Sequence, residues 1–163
     1  MRKILILFLS VFVLNSCSSS DDASSTFESN ILVSNVRFIP TSARVVQANS
    51  TIPGESALNF NLSKGTVGSS NYEAIVFNIM YPTNSSTAPS GIYDFGIGVI
   101  GEVLFANGTY VKGNSFYSLA GFTVQVTHRG TNEYRLDFQN VQAINPITGG
   151  SVIISGFFDG NMQ

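Results

Sequence analysis

Few side chains in this 163-residue chain could do chemistry: one cysteine, Cys17, one histidine, His128, and ten carboxylates. A lone His and a lone Cys cannot assemble the three or four nitrogen and sulfur donors that zinc or copper requires. No Asp-x-Asx-x-Asx run offers calcium its oxygens, and Asp159, followed by Gly160 and Asn161, supplies one edge of a site at most. Nucleophilic catalysis through a Ser/His pair would have to use His128, which sits beside Arg129-Gly130 at an expected hairpin tip in a chain with no Gly-x-Ser-x-Gly elbow. Glycoside hydrolysis needs two carboxylates facing across a cleft, for which Glu73, Glu102, Glu133 and Asp137 are available. Glu133 and Asp137, with Arg135 between them, fall on the strand face opposite Tyr134, Leu136 and Phe138, which makes them a surface charge pattern. Gly96, Gly98 and Gly101 precede no helix that could receive a phosphate. Tyr72, Tyr110 and Tyr117, near loops or strand ends, remain as residues that could stack on a sugar ring. No catalytic, metal or cofactor-binding residue is therefore expected, and a non-enzymatic role is.

Cys17 calls for a different chemistry. Arg2 and Lys3 begin the chain, residues 4–14 are apolar except for Ser10, and small or polar residues follow, which is the three-part layout of an export signal. The run is shorter than the roughly 20 apolar residues that span a bilayer. Its end, Leu14-Asn15-Ser16-Cys17, resembles the lipobox of bacterial lipoproteins, with Asn15 looser than the usual small residue at that position. The resemblance implies cleavage before Cys17, a diacylglyceryl thioether on its sulfur and an acylated amino group. Acyl chains contributing about 0.8 kcal/mol per buried methylene would hold such a chain in a membrane. The following Ser18-Ser19-Ser20-Asp21-Asp22 is similar to the signal that carries lipoproteins of Bacteroidota to the outer leaflet of the outer membrane, with Ser20, Asp21 and Asp22 as the sorting residues. A periplasm-facing anchor is the alternative.

Three segments result: a signal peptide over residues 1–16, a lipidated cysteine and flexible Ser-rich tether over 17–29, and one domain over 30–163. In that domain Arg37, Arg44, Lys64, Lys112, Arg129 and Arg135 stand against Glu55, Glu73, Asp94, Glu102, Glu133, Asp137 and Asp159. The charge is nearly balanced and dispersed, without the basic stripe that nucleic-acid binding leaves. Charged residues make up 11% of the chain, against roughly 25% in ordinary soluble domains, so Asn, Ser, Thr and Gly must supply much of the surface polarity. A single cysteine allows no disulfide within the chain, and stability must come from the apolar core.

The elements that would position these residues are strands. Residues 58–62, 122–127 and 134–139 alternate apolar and polar with period two. Residues 73–81 and 151–158 are apolar on both faces and read as central strands covered on each side. Further strands are expected over 31–39, 44–48, 92–97, 99–106, 109–112 and 116–120, and Asn107-Gly108 is the sharpest hairpin signal, favouring a type I′ turn. No helical spacing is sustained after Cys17. The expected fold is an all-β, antiparallel β-sandwich of about ten short strands, with a calycin-like β-barrel as the alternative. Gly91-Ile92-Tyr93-Asp94-Phe95 and the closing Ile154-Ser155-Gly156-Phe157-Phe158-Asp159-Gly160 resemble small all-β lipoproteins of Bacteroidota, which implies the fold and the anchor but no activity. The leading expectation is a lipid-anchored outer-membrane domain, facing the cell surface, that binds a glycan, a peptide or an envelope protein. An apolar-ligand carrier with an open barrel interior and a small envelope hydrolase are the alternatives.

Overall fold

The computed structural model describes residues 27–50, 52–96 and 104–163. Cys17, Ser20, Asp21, Asp22 and Glu102 lie outside them. The first strands are β1 (Phe27–Ser29), β2 (Leu32–Val33), β3 (Val36–Arg37), β4 (Ser42–Ala48), β5 (Glu55–Lys64) and β6 (Glu73–Pro82). They are followed by β7 (Gly91–Asp94), β8 (Phe105–Lys112), β9 (Ser115–Ala120), β10 (Thr123–Gly130), β11 (Glu133–Ile144) and β12 (Ser151–Asn161). The protein is all-β, and the twelve strands form one hydrogen-bonded sheet in the order β3-β2-β12-β11-β10-β7-β8-β6-β5-β4, with β1 on β12 and β9 joining β8 to β11. Among the described residues, pairing is antiparallel except for one parallel bridge, Asp94 to Phe105, between β7 and β8.

Alternation places the core. Leu58, Phe60 and Leu62 on β5, Val124 and Val126 on β10, and Tyr134, Leu136 and Phe138 on β11 are all buried, as their period-two spacing predicts. The two strands expected to be covered on both faces are not. Ile75, Phe77 and Ile79 of β6 are buried inward while Val76 and Met80 are half-buried outward, and Ile153 of β12 is 39% exposed beside a fully buried Ile154. These strands are interior to the sheet, where neighbouring strands shield the outward side chains in part.

The sheet doubles back so that its inward faces meet. Phe60 and Phe77, opposite one another on β5 and β6, stack at 5.1 Å. Phe60 meets Tyr134 edge-on at 5.1 Å, and Phe77 meets Phe138 at 5.8 Å and Phe95 at 5.7 Å. A pair that spans β5 and β6 thus packs on residues four apart along β11, which brings the two inward faces together. The corner is built by bulges. Gly121 and Phe122, between β9 and β10, have φ of 70° and 64°, and Asn140 on β11, where the register shifts, has φ of 56°. β9 and β10 pair with successive stretches of β11, and the kink between them sends β9 to β8 and β10 to β7.

The far edges also meet. The amide of Gln163 donates to the Ala43 carbonyl at 2.9 Å, and the amide of Val45 donates to the Gln163 carbonyl at 3.0 Å, which ties the end of the chain to β4.

Three expectations need correction. Asn107-Gly108 is not a turn but the middle of β8, and the hairpin from β8 to β9 instead turns at Gly113, whose φ is 55°. Residues 31–39 are not one strand: Ser34 and Asn35, with φ of 48° and 67°, form a two-residue turn of the I′ kind between β2 and β3. The tether does not extend to residue 29, since Phe27–Ser29 pairs with Phe158–Gly160 and Phe27 packs its ring on Phe158 at 5.1 Å.

Candidate functional site

The outward face of β4, β5, β6 and β8 carries the feature that the sequence did not announce. Register sets Asn59 opposite Asn78 and Asn78 opposite Asn107, so three carboxamides stand in one row across three strands. They hydrogen-bond in series: Asn59 Nδ2 donates to Asn78 Oδ1 at 2.8 Å, and Asn78 Nδ2 donates to Asn107 Oδ1 at 3.1 Å. Asn107 Nδ2, at the end of the series, has no acceptor among the described residues. Gly108 makes the row possible, because a Cβ there would lie 2.5 Å from Phe77 Cβ, 2.7 Å from Phe77 Cα and against the Val76 carbonyl. Only glycine lets β8 pass this close while Phe77 fills the core beneath it.

The next row along these strands is apolar, with Ala48, Ala57 and Met80 in register. Asn49, Ser50 and Ile52, which follow β4, lie beside it, and Ser50 Oγ accepts from the Ile52 amide at 3.1 Å. Ala48, Asn49, Ser50, Ile52, Ala57, Asn78, Met80 and Asn107 enclose a cleft of about 220 Å³. No ionisable side chain is among them. Two side-chain oxygens are buried without a partner among the described residues, Glu55 Oε2 and Asn61 Oδ1. Both belong to the same outward face of β5 as Ala57 and Asn59.

The tyrosines singled out from the sequence gather near the turn from β8 to β9, but not as an exposed platform. Tyr110 is 1% exposed, with its ring 5.6 Å from that of Tyr117 and its hydroxyl donating to Glu73 Oε1 at 2.5 Å. It points inward from β8, and no ligand could stack on it without opening the core. Burial, and then the bond to the Glu73 carboxylate, push its pKa well above the ordinary 10.0. Lys64 completes the group, 2.7 Å from Glu73 Oε2. Tyr117 is half-buried, and so is Tyr72, whose carbonyl accepts from the Gly113 amide at 2.8 Å.

The charged positions of β11 are outward, as their spacing predicts. Arg135 binds Asp137 at 2.8 Å and Asp159 at 3.1 Å, Arg129 reaches Asp159 at 2.9 Å, and the Arg135 guanidinium lies 4.2 Å over the Phe157 ring. Asp137 and Asp159 are each bound by an arginine, an arrangement that braces β10, β11 and β12, while Glu133 opens β11 outside this network. His128 is exposed and stacks on Tyr134 at 4.8 Å. Among the described residues no group of three or more His, Cys, Asp or Glu side chains could hold a metal ion. The Asn row was missed because each asparagine looked like an ordinary outward polar position, and only register makes them neighbours.

Comparisons with protein-family models, curated proteins and solved structures gave no match to this chain. What fold and site define together is an all-β module with a filled aromatic interior and a small uncharged cleft on its outer face.

Proposed function

We propose that this protein is a lipid-anchored, non-enzymatic binding domain of the bacterial outer membrane, displayed at the cell surface through Cys17 and engaging a glycan, a peptide or an envelope partner at the outward cleft. The observation that carries this reading is where space is left in the molecule. Phe60, Phe77, Phe95, Tyr134 and Phe138 occupy the interior in mutual ring contact, which weighs against an apolar ligand carried inside. The cleft opens instead on the outer face, and its uncharged lining suits holding a ligand rather than transferring protons. The lipobox-like Leu14-Asn15-Ser16-Cys17 and the Ser20-Asp21-Asp22 signal supply the address.

The anchor is tested by Cys17→Ala, which should abolish palmitate labelling and release the protein from the membrane fraction; a variant that still labels overturns the lipid anchor. Display is tested by adding protease to intact cells. The wild-type domain should be removed, and replacing Asp21 and Asp22 by Ala should protect it.

A further inference from the structure

Resting on the reading of the cleft as a binding site, we infer that its ligand is a single ring of a neutral sugar. Charge is the first discriminator. With no ionisable group in the lining, a charged ligand would lose hydration there without an opposite charge to offset it. Hydrogen-bonding capacity is the second. Asn107 Nδ2, at the end of the amide row, has no acceptor among the described residues, and the lining also holds the Asn49 carboxamide, whose oxygen accepts hydrogen bonds. A hydroxyl both donates and accepts, so a ligand rich in hydroxyls answers both needs, whereas an ether, an ester or an aliphatic chain answers at most one.

Shape and rigidity point the same way. The volume of about 220 Å³ lies below the roughly 300 Å³ at which drug-sized pockets begin, which suits one ring rather than a chain of residues. Ala48, Ala57, Ile52 and Met80 offer apolar surface for the C–H face of a pyranose. The carboxamides of Asn59 and Asn78 are already bonded in series, so Asn107 is held in place before a ligand arrives and little side-chain freedom is lost on binding.

The test is a titration of the detergent-purified full chain, labelled with ¹⁵N-asparagine, with glucose, galactose and N-acetylglucosamine at millimolar concentrations, reading the side-chain carboxamide signals. Saturable movement of the Asn78 and Asn107 signals with at least one sugar is expected, together with a tenfold or greater loss of affinity in both Asn107→Ala and Asn107→Asp, the latter keeping the shape but not the donor. Signals that stay still with all three sugars overturn the inference, as does movement that Asn107→Ala leaves unchanged or movement caused only by a short neutral peptide. Because the anchor and its display are read by palmitate labelling and protease, silence of the amides with an intact anchor removes the sugar and leaves the proposed location standing.

Discussion

Tyr110 shows how little a residue type says without its direction. Next to an expected turn it looked available to a ligand, yet inward phase on β8 puts its ring in the core and its hydroxyl on Glu73, which Lys64 also binds. A buried phenol resists ionisation, so its folded pKa stands above the ordinary 10.0. Burial raises Tyr93 in the same direction. A raised folded pKa means the stabilisation is complete below the unfolded value of 10.0 and is lost as pH climbs beyond it. Urea unfolding should therefore show stability falling above pH 10, more gently in Tyr110→Phe, with Tyr81, Tyr93 and Tyr134, which burial raises as well, supplying the remaining slope. At neutral pH the same variant should lose about 2 kcal/mol, the net value of a buried hydrogen bond to a charged group. Identical alkaline slopes in the two proteins would remove Tyr110 as a source of this dependence.

β8 is the element in which local and tertiary preferences disagree most. An Asn-Gly pair between apolar residues is a strong signal for a turn, because both residues tolerate positive φ. Here the pair stays extended, since β6 supplies a partner for each residue: Asn78 Nδ2 donates to Asn107 Oδ1, and Phe77 needs the space above Gly108. Gly108→Ala should consequently destabilise by about 3 kcal/mol or more, the upper range for forcing extra volume into a packed core. The drop in urea midpoint checks it, and an unchanged midpoint would mean β8 is not held as closely as the register requires. The opposite case is β5, β10 and β11, whose strand positions and buried faces were legible because alternation there runs without a competing turn signal. Phe122 belongs with β8: its φ of 64° and 60% exposure place a bulky residue in a conformation suited to glycine or asparagine, which only the corner between the layers demands.

At the scale of the whole molecule, the segment after β12, Met162 and Gln163, is tied to β4. Met162 is buried, and Gln163 makes both backbone hydrogen bonds that join the chain end to β4. Deleting Met162 and Gln163 should cost about 3 kcal/mol, chiefly for the buried methionine, and should expose the β4 edge to aggregation. A truncated protein with the wild-type urea midpoint would show the closure to be incidental.

The sequence by itself determined the all-β class, the inward faces of β5, β10 and β11, the outward charges of β11 and the chemical isolation of Cys17. These follow from composition and from a period of two that the backbone imposes over a few residues. Tertiary structure decided which strands adjoin, that Asn59, Asn78 and Asn107 form one row, that Tyr110 is buried, and that aromatic rings fill the interior and leave the open cleft outside. Those outcomes rest on register and layer packing, which are set by partners far apart in the chain. A polar residue on a strand looks the same in sequence whether its cross-strand neighbour is water, a valine or another asparagine.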